Sequence, residues 1–438
     1  MFLMRIPQPP PAVTAEEVGA ALVDRACHGV AARANEAYWT WDELRRHPMP
    51  PGVAPERAWA VVSTLRSLAG RELSLRDKDT RPFRVWITDS TWQQVLRIHV
   101  ADSDPFGVLE RVAASHQDAF RVESLMEEAI HSSILEGAAT TRRDARRLLE
   151  EGRTPGTVGE RMIVNNYRTM AMLQELAQQP LSEALLGELQ RSLTHGTLED
   201  ARDAGRVQAA GDERVRVVDG VGQVLHRPPP AEHLPARLAA LCAFANTDGD
   251  GLADVVKAIV LHFALAYEHP FVDGNGRTAR ALFYWYLLRR GHPLVRYLSI
   301  SRVLVGAREQ YGRAFLHVEQ TGDLTYFVLH QLRVYDQALR TLREHVDRRR
   351  RELIAVELEF ARFPELNVRQ KAVLRGWLAG EPRAWTARAH ANVQGVTHQT
   401  AMADLRSLEQ RDLAISVQSR HRRSFLPVGD LARRLRDR

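Results

Sequence analysis

One stretch of this 438-residue chain, residues 268–280, brings together residue types that could bind a phosphate and move a proton. Its sequence is EHPFVDGNGRTAR, in which Gly274 and Gly276 flank Asn275 in a short polar turn between two apolar segments. If the second segment is a helix, its first backbone N–H groups are free donors at the positive end of the helix dipole. The sequence therefore predicts an anion-binding turn, for which a phosphate is the natural ligand.

Four side chains of the same stretch extend this prediction to a reaction. Arg277 and Arg280 are one helical turn apart on one face, so they would add charge-assisted donors to a phosphate. Asp273 is a hard oxygen ligand that could hold Mg²⁺ together with nucleotide phosphates. His269 has a side chain that titrates near neutral pH, which suits a general base. Together these residues indicate phosphoryl or nucleotidyl transfer.

Two other interpretations of the same residues must be weighed. Residues 273–276 are of the types that dominate ordinary turns, since these types suit the backbone conformations of a turn. A Ca²⁺-binding loop is excluded, because the glutamate that would complete it falls on Tyr284.

The stretch HPFVDGNGRTAR is similar to the motif of the Fic family, HxFx(D/E)GNGRxxR, at every fixed position. Proteins of this family transfer AMP from ATP to a Tyr, Ser or Thr hydroxyl of a target protein. The resemblance implies ATP as substrate and Mg²⁺ as cofactor. It also implies these roles: His269 as the base, Asp273 as the Mg²⁺ ligand, Gly274, Asn275 and Gly276 as the phosphate cradle, Arg277 and Arg280 as the residues that hold the triphosphate, and Phe271 as an anchor of the loop.

Helices must position this loop. Residues 251–267 and 278–288 are apolar almost all round, which predicts a buried helix on each side of it. Apolar side chains recur at helical spacing in residues 120–135, which predicts an amphipathic helix.

Three further segments have a predicted secondary structure. Residues 15–28 are predicted to form a helix, and residues 299–332 to form two helices joined at Gly322 and Asp323. A short strand is expected within residues 82–92.

The end of the amphipathic helix predicted at residues 120–135 resembles the inhibitory motif of the Fic family, S/T-x-x-x-E-G/N, at Ser132, Glu136 and Gly137. The resemblance implies that Glu136 pairs with Arg280 in place of the γ-phosphate of ATP. A carboxylate there would occupy an arginine donor and repel the incoming phosphate. A helix that ends at a glycine and leaves its glutamate in solvent explains the same residues without inhibition.

Residues 213–230 predict a β-hairpin, because two β-prone runs flank Asp219 and Gly220 and three prolines end the pairing. The resemblance implies that this hairpin is a flap on which an extended segment of the target protein docks as an added strand. An ordinary surface hairpin is the alternative. The resemblance also places Gln310 and Tyr311 on the adenosine side of the pocket, although an aromatic residue at helical spacing is commonly part of a core.

The last part of the chain, residues 363–438, resembles a winged helix-turn-helix domain, because three predicted helices precede two short strands around a basic turn. Residues 383–438 contain eleven arginines and five acids, so they account for the whole net charge of +6. The resemblance implies contacts with DNA. These would come from Thr397, His398, Gln399 and Arg406 on the recognition helix and from Arg420, Arg422 and Arg423 on the wing.

Other residues of this domain have simpler assignments. Thr397 is predicted to cap the recognition helix, and Leu405, Leu408 and Leu413 are predicted to lie in the core. Asp404 and Glu409 would dilute a basic DNA-binding face, and a winged helix can contact proteins instead of DNA. DNA binding and protein binding therefore both remain open.

The composition, 45% hydrophobic and 26% charged residues, is typical of a soluble globular protein. No apolar run is long enough to cross a membrane and no signal sequence is evident, so we expect a cytoplasmic protein. Cys27 and Cys242 lack the spacing of a metal site or a disulfide framework, which predicts two buried thiols.

We therefore expect a mainly α protein with an all-helical Fic core and a β-hairpin flap. The expected parts are a mostly helical extension (1–115), the Fic domain (116–335, with the inhibitory helix at about 120–137 and the flap at about 213–230), a linker helix (336–362) and the winged helix domain (363–438). The expected function is protein adenylyltransfer inhibited by Glu136. Two alternatives stay open: removal of AMP from targets at the same site, and a DNA-binding regulator whose Fic core senses nucleotide. The sequence does not determine whether the chain forms a homodimer.

Overall fold

Helices dominate the part of the chain that the computed structural model describes, which comprises residues 5–103, 114–218, 220–361, 363–378, 384–419 and 422–436. The predicted mainly α fold is confirmed. The chain divides into two compact units, Met1–Arg343 and Glu344–Arg438. Within the described residues no helix is both long and apolar enough to cross a membrane.

The first unit begins with short helices and a two-stranded antiparallel sheet. These elements are α1 Ala15–Leu22, α2 Arg25–Glu36, α3 Trp41–Leu44, α4 Pro55–Ala69, β1 Arg71–Arg76, β2 Pro82–Val85 and α5 Asp89–Ser103. The helical segment predicted at residues 15–28 is divided at Asp24, whose side chain accepts a hydrogen bond from Ala26 N and so starts a new helix. A strand was predicted near Pro82, whereas its partner β1 was not.

The remaining elements up to Ala361 belong to the first unit, except that the last of these helices continues past Arg343 into the second unit. They are α6 Ala114–Leu135, α7 Arg142–Glu151, α8 Val158–Leu176, α9 Glu183–Leu193, β3 Val217–Val218, β4 Val224–His226, α10 Leu234–Asn246, α11 Asp254–Glu268, α12 Asn275–Arg289, α13 Ile300–Gly306, α14 Arg308–Thr321 and α15 Thr325–Ala361. Helices α11 and α12 are buried on nearly all sides, as their apolar sequences predict.

The boundaries of two predicted helices are corrected by the structure. Helix α12 begins at Asn275, three residues before the predicted start, because Gly274 adopts a left-handed conformation as its N-cap. The segment predicted as one helix from Ser299 is interrupted after Gly306, where Ala307 departs from helical backbone angles.

The β1–β2 sheet packs on α11, the helix that leads into the 268–280 loop, and on the turn before α15. Phe83 of β2 makes edge-to-face contacts with Phe263 and Tyr267 of α11 at ring distances of 5.5 and 5.3 Å. The backbone of Arg84 exchanges hydrogen bonds with the turn before α15, donating to Gly322 O at 3.0 Å and accepting from Leu324 N at 2.8 Å. The N-terminal segment is therefore part of the body that holds the loop.

The second unit contains four helices and a β-hairpin after the end of α15. Its elements are α16 Val368–Leu378, α17 Ala387–Gln394, α18 His398–Gln410, β5 Ala414–Ser419, β6 Arg422–Pro427 and α19 Leu431–Arg436. Thr397 caps α18 through Thr400 N, as predicted. The core contains the predicted leucines Leu405, Leu408 and Leu413.

Asp404 is buried and does not lie on the basic face that it was predicted to dilute. It is 5% exposed and accepts hydrogen bonds from Arg369 Nε at 2.6 Å and from Asn367 Nδ2 at 2.7 Å. It therefore joins α18 to the start of α16 and cannot dilute a basic face.

Candidate active site

His269 is the C-cap of α11 and has φ 48° and ψ 51°, a left-handed conformation that costs a residue with a side chain some energy. Its N–H donates to Leu265 O at 3.0 Å, so the helical pattern continues up to this residue. Pro270 has no N–H with which to extend it. The chain therefore leaves the helix at the residue predicted to act as the base.

The imidazole of His269 is half-buried, and burial lowers its pKa to about 4, with a further lowering from His226. Its Nδ1 lies 3.4 Å from the carbonyl oxygen of Ala266. With a proton on Nδ1, Nε2 is left to accept one. His269 is therefore neutral at pH 7, which is the state that a general base requires.

The polar turn is shaped by Gly274 and Asn275. Gly274 has φ 85°, and a Cβ at this position would come within 2.7 Å of Thr194 Cγ2. The buried amide of Asn275 accepts from Phe271 N at 2.9 Å and donates to Phe271 O at 2.7 Å. The side chain of Asn275 thus braces the loop, while the turn leads into the N-terminus of α12.

Arg277 and Arg280 have different surroundings although both are buried. Arg277 donates to Leu193 O at 2.9 Å and to Asp273 Oδ2 at 3.0 Å. Arg280 donates from Nε to Ser132 Oγ at 2.9 Å and from Nη2 to Ser132 O at 2.9 Å. Arg277 therefore braces the loop, whereas Arg280 joins α12 to the end of α6.

The carboxylate of Glu136 lies at this same junction. Its Oε1 is 3.0 Å from Arg280 Nη2, which forms an ion pair between residues 144 positions apart. A Cβ on Gly276 would overlap the Glu136 carboxylate, so this group rests directly against the first turn of α12. Gly137 follows with φ 90°. A negative charge thus occupies the end of the helix where the sequence predicts a phosphate.

Asp273 has an exposed side chain beside the same turn. Among the described residues, no group of three His, Cys, Asp or Glu side chains could hold a metal without other ligands. Mg²⁺ commonly takes one or two protein carboxylates and completes its shell with substrate phosphates and water. The residues present therefore fit a Mg²⁺ ion that Asp273 shares with a nucleotide.

Tyr311, predicted to lie on the adenosine side of the pocket, contacts His262 of α11. Its hydroxyl is 2.9 Å from Nε2 of the fully buried His262, and Arg280 is close enough to interact with it electrostatically. Burial raises the pKa of Tyr311 to about 12. Gln310 is exposed on the same helix, α14.

The predicted flap is a short antiparallel hairpin in which Val217 pairs with His226 and Val218 with Val224. Asp219, at its predicted turn, lies outside the described residues. His226 contacts Tyr267 O through Nε2 at 2.8 Å and Glu319 Oε2 through Nδ1 at 3.1 Å. The hairpin is thus held against the end of α11.

Three residues that contact the loop were not predicted from the sequence. Gln190 donates to Asp273 O at 2.9 Å, and Arg237 makes a two-pronged ion pair with Glu268 at 2.6 and 2.7 Å. Arg214 donates to Glu268 O at 2.5 Å and to His269 O at 3.1 Å. No local pattern marks them, because each resembles an ordinary polar residue of a helix or loop.

In the second unit, four residues predicted to contact DNA are exposed at the start and along one side of α18, namely Thr397, His398, Gln399 and Arg406. Arg423 is held by Glu409 at 2.9 Å and by Ser416 at 3.0 Å. Arg420 lies outside the described residues, and Arg422 begins β6.

Residues 180–287 match the sequence model of the Fic/DOC family, so this part of the chain, which includes the whole loop, is a Fic/DOC domain. The chain is 36% identical over 102 residues to protein adenylyltransferase fic-1 of Caenorhabditis briggsae, covering 23% of this chain and 19% of that protein. It is 29% identical over 208 residues to protein adenylyltransferase Fic of Drosophila grimshawi, covering 47% of this chain and 40% of that protein. The chain thus spans less than half the length of either relative.

The fold is similar to the crystal structure of a Fic family protein from Desulfovibrio desulfuricans G20. The TM-score is 0.51 at 19% identity, covering 77% of this chain and 96% of that one.

Proposed function

We propose that this chain is a protein adenylyltransferase that transfers AMP from ATP to a Tyr, Ser or Thr hydroxyl of a target protein and is inhibited by its own Glu136. One observation carries the proposal: a neutral His269 lies beside a helix N-terminus whose buried Arg280 is already paired with Glu136. The Fic/DOC domain and the adenylyltransferase relatives support this reaction.

His269 performs the proton transfer in this proposal. Its free ring nitrogen accepts the proton of the target hydroxyl while the oxygen attacks the α-phosphorus of ATP, and pyrophosphate leaves. The N–H groups at the start of α12 and the Arg280 guanidinium bind phosphate oxygens and orient the nucleotide. A Mg²⁺ ion held by Asp273 would neutralise part of the phosphate charge.

Glu136 inhibits by occupying the donors that the nucleotide needs. Its carboxylate pairs with Arg280 and lies against Gly276. The terminal phosphate of ATP would therefore find its binding position occupied and would be repelled by the negative charge of the carboxylate. ATP then binds only in an unproductive orientation.

The test is to incubate the Glu136→Gly protein with labelled ATP and Mg²⁺ and to identify adducts by mass spectrometry. We expect AMP incorporation to rise at least about tenfold over the wild type, and His269→Ala in the same background to abolish it. Glu136→Gln, which keeps the shape but not the charge, should give an intermediate rise. Unchanged labelling in Glu136→Gly, with nucleotide binding intact, would contradict the proposal.

Removal of AMP from a modified target is a second candidate for the same site. It is favoured by one observation, that Glu136 lies near enough to His269 to oppose the lowering of its pKa. The two groups could therefore activate water together. In this case an adenylylated protein would lose AMP in the presence of the wild-type chain but not in that of Glu136→Gly or His269→Ala.

We also propose that the second unit is a winged helix that binds DNA through α18. His398, Gln399 and Arg406 are exposed there, whereas Asp404 is buried. Fluorescence anisotropy with random duplex DNA should show binding that weakens steeply between 50 and 200 mM salt and is reduced by Arg406→Ala. If DNA binding alone is the cellular function, His269→Ala will leave the cellular phenotype unchanged.

A further inference from the structure

Arg214 lies at the start of the flap, before β3, and its side chain contacts the backbone of the proposed base. Its Nη2 donates to Glu268 O at 2.5 Å and its Nη1 to His269 O at 3.1 Å. These carbonyls end α11, where the next residue is Pro270 and no further helical N–H is available. A guanidinium at this position also complements the negative end of the helix dipole.

The same guanidinium closes the base of the flap. Its Nε donates to Pro229 O at 2.9 Å, on the segment that leaves β4, and its Nη1 also donates to Gln208 Oε1. Buried Gln208 donates from its own backbone to Pro270 O at 2.9 Å and from its side chain to Glu213 O at 2.8 Å. Both sides of the hairpin and residues 268–270 are therefore joined by one hydrogen-bonded group.

No carboxylate within 4.0 Å of Arg214 is found among the described residues, because all four of its acceptors are carbonyl or amide oxygens. Other buried or half-buried arginines of this chain, such as Arg237 and Arg280, are paired directly with acids. The Glu268 carboxylate interacts with Arg214 electrostatically but not as a direct ion pair, and the guanidinium charge lies beside His269. This charge contributes to the lowered pKa of that imidazole.

We propose that Arg214 is a positioning residue that couples the flap to the proposed base, His269. The hairpin that binds the target and the imidazole that accepts the proton of the target hydroxyl would then move together. This inference rests on the proposed function. It predicts that flap order and His269 respond together when Arg214 is changed, because the same four hydrogen bonds hold both. Without them, His269 would be free to leave its unfavourable left-handed conformation.

The experiment uses the full chain with Glu136→Gly and compares Arg214→Met with Arg214→Lys. The His269 pKa is measured by NMR with labelled histidine, assigned through His269→Gln, and flap order by hydrogen exchange of residues 217–226. In Arg214→Met we expect the His269 pKa to rise, because a charge that helps to lower it is removed. Flap protection should be lost, and kcat for AMP transfer should fall at least about tenfold. Arg214→Lys keeps the positive charge but lacks the planar guanidinium with its several N–H donors. The protection of the flap from hydrogen exchange should therefore fall, while the His269 pKa stays near its original value.

Arg216→Met is the control for the titration, since it removes an exposed arginine two residues away. A similar rise of the His269 pKa in this control, or unchanged flap protection in Arg214→Met, would overturn the inference. If Arg214→Met does not fold, Arg214→Lys still tests the loss of flap order. If Glu136→Gly transfers no AMP at all, the proposed function fails, whereas the titration and the exchange still decide the role of Arg214.

Discussion

Gly274 meets two independent constraints at one residue. Its φ of 85° belongs to the left-handed region, and its α-carbon lies so close to Thr194 that a Cβ would come within 2.7 Å of Cγ2. Either constraint alone would disfavour a side chain. The close approach of α9 to the loop therefore depends on this glycine.

We predict that Gly274→Ala lowers the free energy of unfolding by about 2–4 kcal/mol, from backbone strain and the clash together. Gly291→Ala is the matched control, because Gly291 has φ 80° but open space around its α-carbon. It should cost roughly 1 kcal/mol. Urea unfolding followed by circular dichroism measures both.

The steric part of this prediction has its own test. Thr194→Ser removes Cγ2 and keeps the hydroxyl that donates to Gln190 O at 2.8 Å. It should recover part of the loss caused by Gly274→Ala. Equal losses at Gly274 and Gly291 would show that the contact with Thr194 is unimportant.

At the scale of elements, His292 joins α5 to α11. Its Nδ1 is 2.9 Å from Asp102 Oδ2, on α5, and its Nε2 is 3.2 Å from Asp254 Oδ2, on α11. Burial alone would lower its pKa, but the hydrogen bonds to the two carboxylates outweigh burial and raise the pKa to about 9. His292 is therefore charged at neutral pH and holds the N-terminal segment to the core.

Because this pKa is higher in the folded than in the unfolded chain, the stability that His292 contributes is complete below pH 6.5 and is lost as the pH rises through about 9. We expect a loss of about 3 kcal/mol over this range. His292→Asn should be less stable at pH 7 and nearly independent of pH between 7 and 9.5. Urea midpoints across this range measure the effect, and parallel curves for the two proteins would exclude it.

At the scale of the whole molecule, the first unit keeps several histidines neutral in its interior. Burial lowers the pKa of His317 and His330 to about 4, and that of His262 well below its usual value. These residues lie on α11, α14 and α15, which pack around the loop. The unfolded chain binds protons at these positions more readily than the folded chain does.

The sign of their effect is opposite to that of His292. Their contribution to stability is complete above about pH 6.5 and is lost as the pH falls toward 4. We predict that the free energy of unfolding falls steeply between pH 6.5 and 4.5. His317→Gln should reduce this slope by the equivalent of about one proton. The slope of the free energy of unfolding against pH, measured by urea unfolding, gives the number of protons taken up when the chain unfolds. An unchanged slope in His317→Gln would contradict the prediction.

Much of the loop was predictable because its conformation is local. A left-handed glycine, a proline after the helix and apolar segments on both sides can be recognised within a short stretch of sequence. The cap of α18 at Thr397 can be recognised in the same way. The same holds for most helices. Prediction from local pattern failed at Asp24, where one helix was predicted and two are present. The helical pattern of the sequence continues across Asp24, although this residue caps the start of α2.

The sequence by itself thus determined the loop, its buried helices and the residue types of a phosphate site, since these follow from backbone preferences and periodicity. The resemblance to the Fic motif already implied the pairing of Glu136 with Arg280. Only the tertiary structure decided the other partners, which are the carbonyls of Glu268 and His269 for Arg214 and the interior of the second unit for Asp404. The physical reason is that the partner of a charged side chain depends on which surfaces meet after folding. Such pairs join residues tens to more than a hundred positions apart, and no local pattern specifies them.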